Sequence, residues 1–192
     1  MKTHRRDRVP RDTTILLLIL ALLIVAPQSV PADESTGTEP AAVRSGPSPC
    51  STPGAGEFDF WVGDWEVSWD GGHGRNRVEK ILGGCVIHEH FDGSGPDGNG
   101  LIGRSYSTWS PDLKRWRQTW VDNQGGYLDF DGAMEGDRMV LSRTAQGDGE
   151  TFLQRMVWHD IGADAFEWNW ERSDDNGTTW NPVWKVHYTR RK

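Results

Sequence analysis

Arg115-Trp116-Arg117-Gln118-Thr119-Trp120-Val121-Asp122 runs into Asn123-Gln124-Gly125, after which a second β-prone run continues to Asp131. A period of two that ends in a polar and glycine cluster marks a half-buried strand entering a turn. Successive strand side chains alternate between faces, so Trp116, Gln118, Trp120 and Asp122 share one side. The same unit recurs outward in both directions. Strands are expected near 64–70, 75–82, 85–92, 100–109, 114–122, 126–131, 137–143, 151–159, 164–172 and 179–189, with separators such as Asp70-Gly71-Gly72, Gly83-Gly84, Ser110-Pro111-Asp112 and Ser173 to Gly177. No window shows a helical period. Ten strands with short connections imply an all-β, antiparallel up-and-down β-barrel, because closing the sheet removes its exposed edges. Phe166, Trp168 and Trp170 form one row on their strand; Phe152, Gln154, Met156 and Trp158 form another, opposite Leu153, Arg155, Val157 and His159. Alternation alone leaves open which row points inward, and whether the interior is filled or holds one small ligand.

Upstream of the strands the composition changes. Lys2, Arg5, Arg6, Arg8 and Arg11 precede the apolar run Ile15 to Ala26, and Val30-Pro31-Ala32 offers small residues for a signal peptidase. The run is too short for a bilayer core that needs about 20 residues. Residues 1–32 therefore read as a signal peptide, the mature chain as secreted or periplasmic, with no membrane association after cleavage. Residues 33–56 carry Pro40, Pro47, Pro49 and Pro53 among Ser, Thr, Gly and Ala, and read as a disordered linker. Residues 57–192 are left for the barrel, and all 11 Trp lie in them. The chain has 21 Lys+Arg against 28 Asp+Glu, and removing the five basic and two acidic residues of 1–32 leaves 16 against 26, a charge of −10. That excess of acid excludes a nucleic-acid partner, which needs clustered cations. Export makes a Cys50–Cys85 disulfide possible; the alternative is a buried thiol and a tail cysteine that never meet.

Phe58-Asp59-Phe60-Trp61-Val62-Gly63-Asp64-Trp65-Glu66-Val67 places a Gly-x-Trp at the start of the first long strand. This resembles the signature of the lipocalins and calycins. The resemblance implies a Trp lying across the closed end of the barrel, covered by a basic residue after the last strand, where Arg190 or Arg191 stands. More narrowly, Phe58 to Tyr188 is similar to an uncharacterised bacterial family of lipocalin-like domains with a Phe-Trp-x-Gly-x-Trp opening. Gly83-Gly84-Cys85, Tyr106, Trp116 with Gln118 to Asp122, and Trp170-Glu171 with Ser173 to Trp180 extend the match. His88-Glu89-His90 and the glycine-rich stretch Asp92 to Gly100 depart from it.

Few residues suggest chemistry. His88 and His90 face one side of a strand, a spacing that can place two imidazoles on one metal, but a third ligand is needed, with His73, His159 and His187 as candidates. An exposed polar row is the commoner use of that spacing, and neither a metal nor a cofactor is expected. Glu89 lies on the opposite face with Ile87 and Phe91. If that face is interior, burial raises its pKa unless a cation such as Arg155 pairs with it. Ser173 to Trp180 fits the Asp-box hairpin motif, in which Asp175 bonds turn amides and Trp180 packs beneath the turn. No nucleophile elbow, phosphate loop or dinucleotide fingerprint is present. The expected function is an exported lipocalin-like protein that binds a small hydrophobic or aromatic molecule, lined by Glu89, Gln118, Trp120, Arg155, Trp170 and Trp184. The alternatives are an isomerase or hydrolase using Glu89 as acid or base near Arg155, and a filled barrel serving structure or interaction. No catalytic residue is assigned.

Overall fold

The computed structural model describes residues 50–95 and 98–192; the expected signal peptide and the linker up to residue 49 lie outside the described residues. Ten strands follow one another: β1 (Gly63–Trp69), β2 (Gly72–Ile81), β3 (Val86–Asp92), β4 (Ile102–Ser110), β5 (Arg115–Asp122), β6 (Tyr127–Glu135), β7 (Arg138–Gly147), β8 (Glu150–His159), β9 (Ala165–Ser173) and β10 (Asn181–Arg190). Each pairs antiparallel with the next, and β10 returns to β1 from Trp65↔Arg190 to Ser68↔His187, which closes the barrel. The up-and-down barrel expected from the alternation is the fold.

Two strands outrun their expected ends by four residues. β6 continues to Glu135 because the glycine at 132 sits inside the ladder and does not break it, and β7 continues to Gly147 along its ladder with β8. A Cβ on Gly132 would collide with the carbonyl oxygen of Val140 on β7, so this glycine permits a close backbone approach. The β6–β7 ladder is short, joining Asp131–Glu135 to Arg138–Ser142, and only the four-pair β1–β10 ladder is shorter. Tyr127 to Phe130 and Arg143 to Gly147 have no ladder partner across that seam.

Alternation decides the interior. Trp65, Val67, Val78, Ile87, Phe91, Trp116, Phe130, Met139, Leu141, Met156, Trp158, Phe166, Trp168, Val186 and Tyr188 form one buried cluster. Phe58 and Trp61, at and within a single 3-10 turn (Asp59–Trp61), plug one end. Their rings meet Trp158 at 4.9 and 5.3 Å. Trp65 lies beneath them, its Nε1 donating to the Trp61 carbonyl oxygen at 2.8 Å. Arg190 covers Trp65 with its guanidinium carbon 4.1 Å from the ring centroid, and donates to the carbonyls of Val62 and Ala163. Of the two basic residues at the chain end, Arg190 is therefore the one that caps the Trp; Arg191 pairs with Glu66.

Cys50 is bonded to Cys85, with Cα atoms 4.9 Å apart. Ala55 is buried, and Gly54, at φ 92°, lies against the Trp109 ring, where no side chain would fit. Residues 50–56 thus pack on the barrel, and the expectation of a linker reaching residue 56 is corrected for these seven. Short backbone bonds, Ala55 N to Thr52 O and Glu57 N to Gly54 O, give them turns that composition alone hid.

Candidate functional site

The end of the barrel opposite the plug holds a cavity of about 230 Å3. Its walls are aromatic and aliphatic: Phe91, Trp120, Leu128, Met156, Trp158, Trp168, Trp170, Trp184 and Val186. Leu101, Asp122 and the exposed Gln124 form its rim, so the cavity reaches the surface beside the β5–β6 turn. The interior is not filled by its own side chains.

Trp184 is the wedge of the wall. It meets Trp69, Trp168 and Phe91 edge-on at centroid distances of 5.4, 5.5 and 5.8 Å. Such edge-to-face pairs align the ring quadrupoles favourably, each adding roughly 1 kcal/mol beyond area burial. Trp170 is met the same way by Phe130 at 5.7 Å. Trp120 lies flat over Gly103 of β4, where a Cβ would overlap its ring, and its Nε1 donates to Asp122 Oδ2 at 2.9 Å. The walls are thus fixed by packing before any ligand arrives.

Polar groups enter the cavity from a small network. Glu89 is 5 % exposed and lines the cavity. Its Oε1 accepts from Asn76 Nδ2 and its Oε2 from Ser105 Oγ, both at 2.6 Å. Asn76 also donates to the Tyr188 hydroxyl at 3.1 Å. Gln118 Nε2 donates to Ser107 Oγ at 2.8 Å. Burial pushes the Glu89 pKa up to about 7, against the two hydrogen bonds and the more distant Arg104, which favour the charged form. Burial and the neighbouring carboxylate likewise push the Tyr188 hydroxyl upward. No cation forms an ion pair with Glu89 among the described residues.

Of the six residues expected to bind a ligand, Glu89, Gln118, Trp120, Trp170 and Trp184 lie together around this cavity. Arg155 does not. Met156 and Trp158 of β8 point inward, so Arg155 faces out, where its Nε donates to Glu171 Oε2 at 2.6 Å and its guanidinium stacks 4.0 Å from the Trp180 ring. The expected Glu89–Arg155 pairing is replaced by an outer Arg155–Glu171 pair and an inner carboxylate held by neutral donors. Asn76, Ser105 and Tyr188 were not anticipated from the sequence. Each sits on the inward parity of its strand, but only strand register brings them to Glu89.

Behind Trp180, Asp175 accepts from Ser173 Oγ and Thr179 N at 2.8 Å and from Thr179 Oγ1 at 2.6 Å, with Asn176 and Gly177 at positive φ. These bonds hold its carboxyl down at about 2. The motif serves a hairpin, as expected. On the outer face, His88 and His90 join Glu79, and none of His73, His159 and His187. His159 and His187 pair instead with Asp160 and Glu167. Comparison with known proteins adds no assignment: no family model matches the chain, and no curated protein does.

Proposed function

We propose that this chain is an exported, lipocalin-like binding protein whose barrel holds one small hydrophobic or aromatic molecule. The observation that carries the reading is the cavity of about 230 Å3 walled by Trp120, Trp158, Trp168, Trp170 and Trp184 around a single buried carboxylate. An engineered apolar cavity of 150 Å3 holds benzene, so by proportion this one suits a ligand of roughly nine or ten non-hydrogen atoms. Apolar walls supply affinity, while Glu89 and Gln118 set orientation, the division of labour usual in small-molecule pockets. The Arg190 cap over Trp65 supports the lipocalin-like part of the reading. The Cys50–Cys85 bond supports export, since such bonds persist in oxidising compartments.

The test is an NMR screen of mono- and bicyclic aromatic fragments against isotope-labelled residues 33–192, read at the indole N–H resonances. A fragment that shifts the Trp120, Trp168 and Trp184 indoles together, and leaves Trp180 unmoved, supports the reading. Failure of every fragment to move those three, or shifts confined to outward-facing Trp180, sinks it.

A further inference from the structure

On the outer wall, independently of the cavity, we infer that Glu79, His88 and His90 form a binding site for a divalent transition-metal ion, with Zn2+ as the best fit. Strand pairing builds the group. Folding β2 and β3 about Gly83-Gly84 places Glu79 directly opposite His88, and His90 follows on the same face two residues along. The alternation that sends Glu89 inward sends both imidazoles outward.

The donor atoms lie at distances an ion can bridge. His88 Nδ1 and His90 Nε2 are 3.0 Å apart, and Glu79 Oε1 is 3.8 Å from the first and 3.7 Å from the second. A triangle with these sides has a circumscribed radius of about 2.05 Å, so one point is equidistant from all three donors at that distance. Zn–N bonds are about 2.0–2.1 Å and Zn–O bonds about 2.0–2.2 Å. Two imidazoles and one carboxylate are the borderline donor set that Zn2+ takes, with the fourth position left to solvent or to an incoming ligand.

The side chains are also held. His88 is 14 % exposed at its side chain, and the Tyr106 ring stacks on it at 4.5 Å with 5° between the planes. Arg77 Nη2 donates to Glu79 Oε2 at 2.8 Å, which leaves Oε1 turned to the two histidines. Such outer partners hold ligands in a fixed orientation. Arg104, the cross-strand neighbour of His90, is engaged by the carbonyl oxygens of Phe91 and Gly103 at 3.3 and 2.7 Å. A hydrogen bond between the two rings satisfies one nitrogen pair; an ion uses both lone pairs and the carboxylate at once.

Residues 33–192, stripped with chelator and dialysed, are titrated with Zn2+ by calorimetry and with Co2+ by visible absorption. One equivalent of Zn2+ is expected, with d–d bands of four-coordinate Co2+ that Zn2+ displaces. Glu79→Gln and His90→Gln should each weaken Zn2+ at least about tenfold while leaving thermal unfolding in chelator unchanged. Long-range 1H–15N spectra of the unaltered protein should show Zn2+ moving His88 Nδ1 and His90 Nε2, a readout independent of any variant's folding. Absence of saturable binding overturns the inference, as does binding that leaves those two nitrogens unmoved.

Discussion

Replacing Glu89 by Gln should remove a pH dependence of stability, leaving the variant close to the parent at low pH and above it at neutral pH. Gln keeps the shape and can still accept from Asn76 while donating to Ser105, whose hydroxyl can do either. What it removes is a proton equilibrium. The carboxyl titrates at 4.5 in the unfolded chain and at about 7 in the barrel, because burial disfavours its charge. Below 4.5 both states hold the proton and the group is neutral to folding. As pH rises, the unfolded chain releases its proton first, so stability falls by about 1.4 kcal/mol per unit until the folded carboxyl also ionises near 7. The integrated loss is roughly 3 kcal/mol. Urea unfolding of the parent and Glu89→Gln, in chelator at half-unit steps across this window, isolates the effect, since all other titrations cancel in the difference. The variant should gain about 3 kcal/mol relative to the parent between the two ends. Parallel curves, with a difference constant to about 0.5 kcal/mol, would falsify the account: the carboxylate would then be as easily ionised inside as outside.

The Cys50–Cys85 bond spans 35 residues, so loop entropy assigns it about 4 kcal/mol, and urea unfolding of the Cys50→Ser/Cys85→Ser double variant should show a loss of that order; a loss under about 1 kcal/mol would mean that residues 50–56 contribute no constraint. Gly103→Val puts a side chain where the Trp120 ring lies, and should destabilise by about 1–3 kcal/mol with a displaced Trp120 indole resonance; an unchanged resonance contradicts the packing. Arg155→Met should lower stability by about 1–3 kcal/mol by stranding Glu171, yet leave the affinity of any cavity-binding fragment within about twofold, and an affinity loss much beyond that would return Arg155 to the site. Trp184→Ala removes the wedge shared by three rings. It should cost about 2–4 kcal/mol and abolish fragment-induced shifts at Trp168; retained shifts would show that the wall does not depend on it.

How far the molecule could be read from its chain depends on which interactions are local. Strand number and closure were legible because glycine and polar clusters interrupt a period of two again and again. Gly132 misled because a glycine that ends a strand and one that admits a neighbouring backbone look alike in sequence. Arg155 misled for a related reason: β8 offers two plausible apolar rows, Phe152 to Trp158 and Leu153 to Val157, and only the tilt of the closed sheet chooses between them. The bonds from Asn76 and Ser105 to Glu89 depend on ladder register, and Tyr188 joins them only because the last strand returns to the first. Glu79 was within reach. Counting back from Gly83-Gly84 puts it opposite His88, a hairpin argument that needs no long-range information.

The short ladder between β6 and β7 gives the barrel a mechanical character its strand order conceals. This seam pairs five of the nine residues of β6 and stops at Asp131 and Ser142, and the β1–β10 seam is shorter still, with four pairs from Trp65↔Arg190 to Ser68↔His187. In topology the sheet is a ring; in its elasticity it is a collar split between β6 and β7 and again between β10 and β1, each seam joined toward the plugged end and parted toward the cavity end. Phe130 stands at the edge of the split and packs on Trp170 of the cavity wall. Thermal breathing should therefore gather at these two seams instead of spreading around the circumference. Amide hydrogen exchange should be fastest along residues 127–130, 143–147 and 181–186 and slow in β3 and β4, which are laddered along nearly their whole length on both sides.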